Sequence, residues 1–514
     1  MSLFFIAQDS QVSLDLTGLP YWIRQSLFLR GQTMNQYSRI AIVISDRSYE
    51  YDIYTLVIAF FQGVSTQVFD PGADIPFRAD LTVKVQISDE SIYISAGSLE
   101  RHIASSAGAE RSTVKNILKR NLYEMLRDIC GRDLPWGNLT GIRPVKLAMS
   151  ALEEDEDSAA RKMTERYYVS PAKAELSVRI AGRERSILSG IDTDNGFSLY
   201  IGIPFCPSIC LYCSFSSSPL SLWESRVDEY LDALILEMRA CRHSFPGKTL
   251  HTVYIGGGTP TTLSPAQMDR LLGAVEENYD LSHVMEYTVE AGRPDSITAG
   301  KLRVLRNHPV TRISVNPQTM NQKTLDLIGR RHTVDDTVRA YEQARSLGFD
   351  NINMDLIVGL PGEGPDEIEH TMQCIEELDP DDVTVHALAL KRAARLALHM
   401  DEYEKISFRA SDMIMERCQE GCSRLGMTPY YLYRQKNMAG NFENVGYAKS
   451  GKAGLYNILI MEEVECILAL GASGSTKIVY DDGRIERIEN VKDIRNYLER
   501  IDEMIRRKDV LARI

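Results

Sequence analysis

The chain has 514 residues, of which 44% are hydrophobic and 25% charged, and its formal net charge is −13. This length allows about two to four domains, and the composition is typical of a soluble globular protein. The acidic balance argues against non-specific nucleic-acid binding, which needs clustered positive charge. We expect no signal peptide and no membrane span. Nine cysteines, an odd number in a long chain, predict a reducing, cytoplasmic location.

Residues 1–150 are predicted to form an N-terminal α+β domain. The short apolar runs YDIYTLVIAFF, LTVKVQIS and SIYISA are typical of strands. In RSTVKNILKRNLYEMLRDIC, apolar residues recur at i, i+3 and i+4, which predicts an amphipathic helix that faces a core. Residues 151–196 are polar with a helical pattern, and we interpret them as a linker.

Residues 197–395 alternate short apolar strands with amphipathic helices. The six predicted strands are SLYIGI, HTVYIGGG, MEYTVEAG, TRISVNP, DNINMDLIVGL and DVTVHALAL. Such an alternation predicts a parallel sheet, open or curled into part of a barrel, with its reactive site at the carboxyl ends of the strands. Residues 396–514 are predicted to form a C-terminal α+β domain that covers the site. It should hold a helix near 402–424, strand-like runs at TPYYLYRQK, LYNILIM and TKIVYDD, and a charged closing helix.

The segment IPFCPSICLYCSF spaces Cys206, Cys210 and Cys213 as CxxxCxxC. Three thiolates are one fewer than a structural zinc site or a fully ligated iron–sulfur cube requires. Three unrelated buried thiols, or zinc with a remote fourth ligand, are alternative interpretations. We favour a [4Fe–4S] cluster held through three irons, whose fourth iron is open to a small external ligand.

The pattern CxxxCxΦC, with Tyr212 before the last cysteine, resembles the signature of radical S-adenosylmethionine (SAM) enzymes. The resemblance implies a partial (β/α)6 barrel, a [4Fe–4S] cluster and one SAM molecule or two. Further motifs resemble the oxygen-independent coproporphyrinogen dehydrogenases of that superfamily; they are YIGIPFC, GGGTPT, TVEAG, VNPQT, LIGRRH and NMDLIVGLPG. By this resemblance, the SAM contacts are Tyr200, Tyr212, Gly257, Gly258, Thr259, Glu290, Gln318, Arg330, Asp355 and Ala389. We expect the glycines to bring bare backbone close to SAM.

Four other stretches resemble the HemZ-type branch of these dehydrogenases, namely WGNLTGIRPVKL, HALALKRAARL, PYYLYRQKNMAGNFENVGY and ILALGASGSTK. The implied reaction is oxidative decarboxylation of two propionates of coproporphyrinogen III, which yields protoporphyrinogen IX without O₂. A one-electron donor such as flavodoxin or ferredoxin is implied as a partner. Because the substrate carries four carboxylates, we expect a locally cationic site. The candidates are Lys391, Arg392, Arg395, Arg434 and Lys436, for which ordinary solvated side chains are the alternative.

Three positions depart from the related patterns. Gly202 stands where the dehydrogenases have histidine, and Phe215 stands where they have a fourth cysteine. Haem-binding chaperones of the same family carry a haem-ligating histidine, and the corresponding position here is Glu443. Since carboxylate is a poor substitute for imidazole on haem iron, a chaperone is the second hypothesis, and a radical enzyme acting on another tetrapyrrole is the third. His332, beside Arg330 and Arg331, is interpreted as a surface histidine, and an approach to the cofactor is the alternative.

Overall fold

The computed structural model describes residues 37–104, 108, 110–141, 143–389, 411–435 and 441–514. The chain divides into two compact units, Met1–Leu134 and Pro135–Ile514. The first unit therefore ends before the predicted boundary at residue 150. Among the described residues, none of the helices combines the length and the apolarity that a membrane crossing requires.

The first unit contains a sheet with the strand order β2-β1-β3-β4-β5 and two helices. Its elements are β1 (Arg39–Ile44), α1 (Glu50–Phe60), β2 (Ser65–Phe69), β3 (Leu81–Ile87), β4 (Ser91–Ala96), β5 (Leu99–Ala104) and α2 (Arg111–Cys130). Strand β1 pairs in parallel with β2 and β3, whereas β3, β4 and β5 pair antiparallel. The predicted strands β3 and β4 are confirmed, as is the amphipathic helix α2.

The prediction that YDIYTLVIAFF is a strand is wrong, because this run forms α1. Its buried apolar residues are Ile53, Leu56, Val57 and Phe60. That spacing places them on one face of a helix, whereas a strand would bury alternate residues. The prediction relied on residue types that are common in strands, whereas the helical spacing of the apolar residues determines the structure.

The second unit begins with three helices that the sequence placed partly in a linker. They are α3 (Pro144–Glu154), α4 (Ala159–Tyr167) and α5 (Pro171–Leu188). Ala148, Met163 and Ile180 are fully buried in them and belong to the main core of this unit. These helices are polar on one face and bury apolar residues on the other. Residues 151–196 therefore pack against the core and are not a linker.

Seven parallel strands form the centre of the second unit, in the order β16-β6-β9-β10-β11-β12-β13, where β16 is Cys466–Leu470. Six of them are the predicted strands, which are therefore confirmed. Their bounds are β6 (Gly196–Ile203), β9 (Thr249–Gly257), β10 (Glu286–Glu290), β11 (Arg312–Ser314), β12 (Ile352–Val358) and β13 (Asp382–Ala387). Short strands β7 (Phe205–Cys206) and β8 (Ser218–Pro219) follow β6. The sheet stays open, which is the partial barrel that the sequence predicted.

Helices alternate with these strands and are apolar on the face that packs against the sheet. They are α6 (Val227–Cys241), α7 (Pro265–Asn278), α8 (Ala299–Asn307), α9 (Gln322–Leu327), α10 (Val334–Ser346) and α11 (Pro365–Leu378). The strands are buried almost throughout, as β6 illustrates with a single partly exposed position, Tyr200. Such burial on both faces is expected of parallel strands covered by helices.

The C-terminal residues extend the same sheet at both of its edges. Strands β14 (Thr428–Tyr433) and β15 (Asn444–Ala448) add antiparallel beyond β13, and β16 (Cys466–Leu470) lies parallel to β6. The remaining elements are α12 (Asp412–Arg424), α13 (Leu455–Glu462), β17 (Ser475–Val479), β18 (Ile485–Glu489), α14 (Ile494–Glu499) and α15 (Ile501–Arg507). The prediction that LYNILIM is a strand is wrong: it forms α13, whose apolar residues are buried on several sides, and a run this short cannot be assigned by periodicity.

Candidate functional site

Polar and glycine residues gather at the carboxyl ends of the parallel strands. Tyr200 lies in β6 three residues before its end, and Cys206 follows in β7. Gly257 ends β9, and Gly258 and Thr259 come directly after it. Glu290 ends β10, and Asp355 lies in β12 beside the residue pair Thr384 and His386 of β13. Since parallel strands point the same way, these residues share one edge of the sheet. The candidate site is therefore a single edge, as the sequence predicted.

The cysteine loop leaves β7 and is held at both ends by main-chain hydrogen bonds. The Ser218 amide donates to the Pro204 carbonyl at 2.8 Å, and the Leu211 amide donates to the Ile328 carbonyl at 2.9 Å. All nine cysteines lie in the described residues and are free thiols. Burial raises the pKa of Cys206, and it raises the pKa of Cys213 to about 11. Burial thus disfavours the thiolate form of both groups, so binding a cation there would release protons.

The three cysteines fit an iron–sulfur cluster with one open iron. They are gathered in one loop whose thiols have no disulfide partner. In the described part of the chain, no three His, Cys, Asp or Glu side chains are grouped as ligands of a single metal ion. The ligands of a [4Fe–4S] cluster need not surround a single ion, because each thiolate binds a different iron atom.

Two buried arginines flank the cysteine loop. Arg293 donates to the Cys210 sulfur at 3.5 Å and to the Ser208 carbonyl at 3.1 Å. Arg330 donates to the Asn316 carbonyl at 2.6 Å. Burial disfavours the charge of Arg330, but the nearby Tyr212 hydroxyl and Cys210 thiol together outweigh it and raise its pKa. The loop that would bind the cluster therefore lies between two fixed positive charges.

The glycine segment packs against the strand that leads into Cys206. A Cβ atom on Gly258 would lie 2.5 Å from the Phe205 carbonyl oxygen, and one on Gly257 would lie 3.0 Å from Ile203. Gly257 also has φ +110, which favours glycine. The Thr259 amide donates to the Phe205 carbonyl at 2.7 Å, and its hydroxyl donates to the Cys206 sulfur at 3.6 Å. In the structure, the glycines are thus required by protein backbone and not only by an approaching cofactor.

Glu290 lies beside a stack of three tyrosines inside the partial barrel. The Tyr254 hydroxyl donates to Glu290 Oε1 at 2.6 Å. The Tyr254 ring stacks on Tyr456 at 4.5 Å and on Tyr200 at 6.2 Å between centroids. Burial raises the pKa of Glu290 to about 7. A carboxyl of this kind can pair with a cationic or hydroxyl-bearing ligand, and such a ligand would restore its charged form.

Gln318 and Arg330 carry polar atoms that are buried without a hydrogen-bond partner among the described residues. These atoms are Gln318 Oε1 and Arg330 Nε. Gln318 is held at φ 69, in the left-handed region, by main-chain hydrogen bonds to Asp355 and Ile357 of β12. Unpaired buried polar atoms are costly unless a ligand satisfies them. The residues predicted to contact SAM therefore fit a polar ligand at this edge.

Asp355 is held in place by two asparagines and faces a histidine that the sequence analysis missed. Asn316 Nδ2 and Asn353 Nδ2 donate to it at 2.7 and 2.8 Å. His386 Nε2 lies 3.7 Å from Asp355 Oδ1, and its Nδ1 lies 3.4 Å from the Tyr433 hydroxyl. The sequence signal was a polar residue in the carboxyl half of a predicted strand. The sequence analysis also missed four other residues of this edge, namely Asn316, Tyr254, Tyr456 and Arg293. No sequence pattern indicated Tyr456, because the segment that forms α13 was predicted to be a strand.

The cationic substrate candidates have different outcomes. Lys391, Arg392, Arg395 and Lys436 lie outside the described residues. Arg434 is 4% exposed, donates to the Leu139 carbonyl at 2.7 Å and lies over the Trp136 ring. Its guanidinium is thus engaged by protein groups, and the structure gives it a packing role in place of the predicted contact with substrate. Ala389, the weakest SAM candidate, is partly buried against the main core.

His332 is buried, so its assignment to the surface is wrong. Both of its ring nitrogens lack a hydrogen-bond partner in the described part of the chain. Burial, together with the charge of Arg330, lowers the pKa of His332 to about 4. His332 was expected to face solvent because two arginines precede it in the sequence, whereas in the structure both Arg330 and His332 are buried.

The two departures from the dehydrogenase pattern have structural counterparts. A Cβ atom on Gly202 would lie 3.3 Å from the Ala472 carbonyl oxygen, because the loop after β16 occupies that space. The Tyr230 hydroxyl holds the two segments together, since it donates to the Gly202 carbonyl and accepts from the Ala472 amide. Phe215, at the position of the missing cysteine, is 73% exposed.

Glu443 is fully buried and both of its carboxylate oxygens are occupied. The Trp136 indole donates to Oε2 at 2.7 Å, and Lys173 Nζ donates to Oε1 at 2.6 Å. The motifs WGNLTG and NFENVGY, which are far apart in the sequence, therefore meet in one buried polar cluster. Glu443 is a structural residue there and is not available as an iron ligand.

Comparison with known proteins gives a consistent set of similarities. A family model described as the radical SAM superfamily matches residues 200–375. The oxygen-independent coproporphyrinogen-III oxidase-like protein HemZ of Bacillus subtilis is 38% identical over 396 residues, 76% of this chain and 79% of its own. Heme chaperone HemW of the same organism is 39% identical over 198 residues, 38% of this chain and 51% of its own.

More distant similarities extend to the coproporphyrinogen oxidases. The oxygen-independent coproporphyrinogen III oxidase of Salmonella typhimurium is 28% identical over 321 residues, which are 60% of this chain and 65% of its own. Among solved structures, coproporphyrinogen III oxidase (HemN) of Escherichia coli, a radical SAM enzyme, aligns with a TM-score of 0.49 at 24% identity. The alignment covers 62% of this chain and 73% of that one.

Proposed function

Since this chain belongs to the HemZ family within the radical SAM superfamily, we propose that it catalyses the oxygen-independent oxidative decarboxylation of coproporphyrinogen III to protoporphyrinogen IX. The proposal depends on two features observed together. Three free cysteines, one fewer than a fully protein-ligated cluster needs, share a loop, and unpaired buried polar atoms lie along one edge of the sheet. A three-thiolate site leaves an iron open, and the adjacent polar edge suits a zwitterionic metabolite.

Different residues of this chain would bind the cluster and SAM. Cys206, Cys210 and Cys213 would hold the [4Fe–4S] cluster. When bound, the cluster and SAM would supply a 5′-deoxyadenosyl radical that removes one β-hydrogen atom from a propionate of the substrate. CO₂ would then leave, and a one-electron acceptor would take the remaining electron as the vinyl group forms. Arg330 would pair with a carboxylate of SAM, because a guanidinium recognises carboxylates in two hydrogen bonds. Glu290, Gln318 and Asp355 would bind its hydroxyl and amino groups.

His386 is the described residue best placed to meet an anionic substrate. Asp355 lies on one side of its imidazole and Tyr433 on the other, which fixes the ring. An imidazole N–H at Nε2 would donate to a propionate carboxylate. Lys391, Arg392 and Lys436 remain predicted contributors of positive charge to the site. The electron would come from reduced flavodoxin, ferredoxin or a similar donor.

The haem chaperone is the rival hypothesis, and Glu443 bears on it directly. In the chaperone pattern this position ligates haem, but here the side chain is 1% exposed and paired with Lys173. Exposing it to an iron would break a buried ion pair, which costs several kcal/mol. This observation supports an enzyme in preference to a chaperone.

An anaerobic assay separates the hypotheses. Reconstituted protein is given dithionite, SAM and coproporphyrinogen III, with the Cys213→Ala variant as the control that lacks a complete triad. Protoporphyrinogen formed together with 5′-deoxyadenosine supports the proposal. Stoichiometric haem uptake without decarboxylation would instead identify a chaperone, and 5′-deoxyadenosine without porphyrin product would indicate another substrate.

A further inference from the structure

Arg293 makes a set of contacts that links the cysteine loop to a counterion, Asp295. Its side chain is 3% exposed. Nη1 donates to Cys210 Sγ at 3.5 Å and to the Ser208 carbonyl at 3.1 Å, and Nη2 donates to Ser208 Oγ at 3.1 Å. The other edge is bound by Asp295, at 3.0 Å from Nε and 2.8 Å from Nη2. All three guanidinium nitrogens are thus engaged.

This arrangement fixes the guanidinium before any iron is present. Asp295 compensates the buried charge and orients the planar group, because two parallel hydrogen bonds define its plane. The opposite edge then faces the cysteine loop, with one N–H directed at the Cys210 sulfur. Arg330 also lies near Cys210, but it is bound to the Asn316 carbonyl.

We propose that Arg293 is a positioning residue that raises the reduction potential of the cluster through its hydrogen bond to Cys210 Sγ. An N–H donor and a positive charge next to a cluster thiolate stabilise the reduced form, which carries one more negative charge. The proposal rests on cluster binding by Cys206, Cys210 and Cys213, and it requires nothing of the tetrapyrrole substrate.

The experiment compares cluster potentials in a matched set of variants. Arg293→Met removes the donor and the charge. Arg293→Lys keeps the charge but has one donor nitrogen in place of the three that contact Cys210, Ser208 and Asp295. Ser208→Ala removes one anchor of Arg293 but leaves the contact with sulfur. Arg303→Met, an exposed arginine of α8, is the control. Each reconstituted protein is equilibrated at a series of potentials without SAM, the reduced cluster is quantified by EPR, and iron and sulfide per chain are measured.

At the wild-type midpoint, we expect the ratio of reduced to oxidised cluster in Arg293→Met to fall about tenfold, which is 59 mV for one electron. Arg293→Lys should fall less, and Ser208→Ala and Arg303→Met should match the wild type. An unchanged midpoint in Arg293→Met at full iron content overturns the proposal. An equal shift in Ser208→Ala also overturns it, since the role would then be loop anchoring. If Arg293→Met cannot bind iron, Arg293→Lys decides, because a wild-type midpoint there refutes the role of the fixed guanidinium contact with Cys210 Sγ. Failure of decarboxylation leaves these readings unaffected.

Discussion

Gly258 offers the most direct test of how the fold builds the cluster site. A Cβ atom there would lie 2.5 Å from the Phe205 carbonyl oxygen and 2.9 Å from its carbon, both main-chain atoms that cannot rotate away. Ordinary contact begins at 3.4 Å, so β7 would have to move by about 0.9 Å (3.4 − 2.5). Overpacking of this kind costs about 1–3 kcal/mol. Because Cys206 directly follows Phe205, the same displacement moves a proposed cluster ligand.

We therefore expect Gly258→Ala to lower the free energy of unfolding of the cluster-free protein by about 1–3 kcal/mol. It should also bind less iron and sulfide after anaerobic reconstitution. Gly273→Ala in α7 is the matched control, since nothing lies within 4 Å of its Cβ position. In a helix interior that change should stabilise by about 0.5–1 kcal/mol. Denaturant unfolding and iron analysis measure both effects. Full iron content with unchanged stability in Gly258→Ala would refute the packing account.

Three further predictions concern Glu290, Glu443 and His386. Burial raises the pKa of Glu290 from 4.5 to about 7, so its contribution to stability is present at low pH and is lost as pH rises through 7. Relative to Glu290→Gln, the wild-type protein should lose about 3 kcal/mol between pH 4.5 and 8, and parallel pH profiles would contradict this. Glu443→Ala leaves Lys173 without its buried partner and should lower the free energy of unfolding by about 3–5 kcal/mol, more than Glu443→Gln does. Equal losses for the two variants in thermal unfolding would rule out the ion pair. His386→Leu should raise KM for coproporphyrinogen about tenfold, with SAM cleavage unchanged, whereas an unaltered KM argues against substrate contact.

The central architecture could be predicted because its signals are local. Six apolar runs alternate with amphipathic helices, and each run became a strand of the parallel sheet. The cysteine spacing lies within eight residues, and most motifs that resemble SAM contacts contain or follow a strand, whereas LIGRRH follows helix α9. Parallel strands necessarily place those ends together, so the common edge followed from chain order alone.

Other features depended on contacts between distant residues. Trp136 and Glu443 are 307 positions apart and form one hydrogen bond, which converts an apparent ligand position into a buried ion-pair partner of Lys173. Arg434 likewise looked cationic and free, but its partner is the Leu139 carbonyl. No local pattern distinguishes a buried paired charge from a solvated one, because the difference lies in what packs against it.

The amino-acid sequence by itself determined the barrel strands, the cysteine loop and the edge at which chemistry is expected, since periodicity and spacing are properties of neighbouring residues. Tertiary structure alone decided that LYNILIM is helical and that β16 joins the sheet beside β6. It also decided that His386 faces Asp355 and that Arg293 faces Cys210. Those outcomes depend on burial and on partners from other elements, which a one-dimensional pattern does not record.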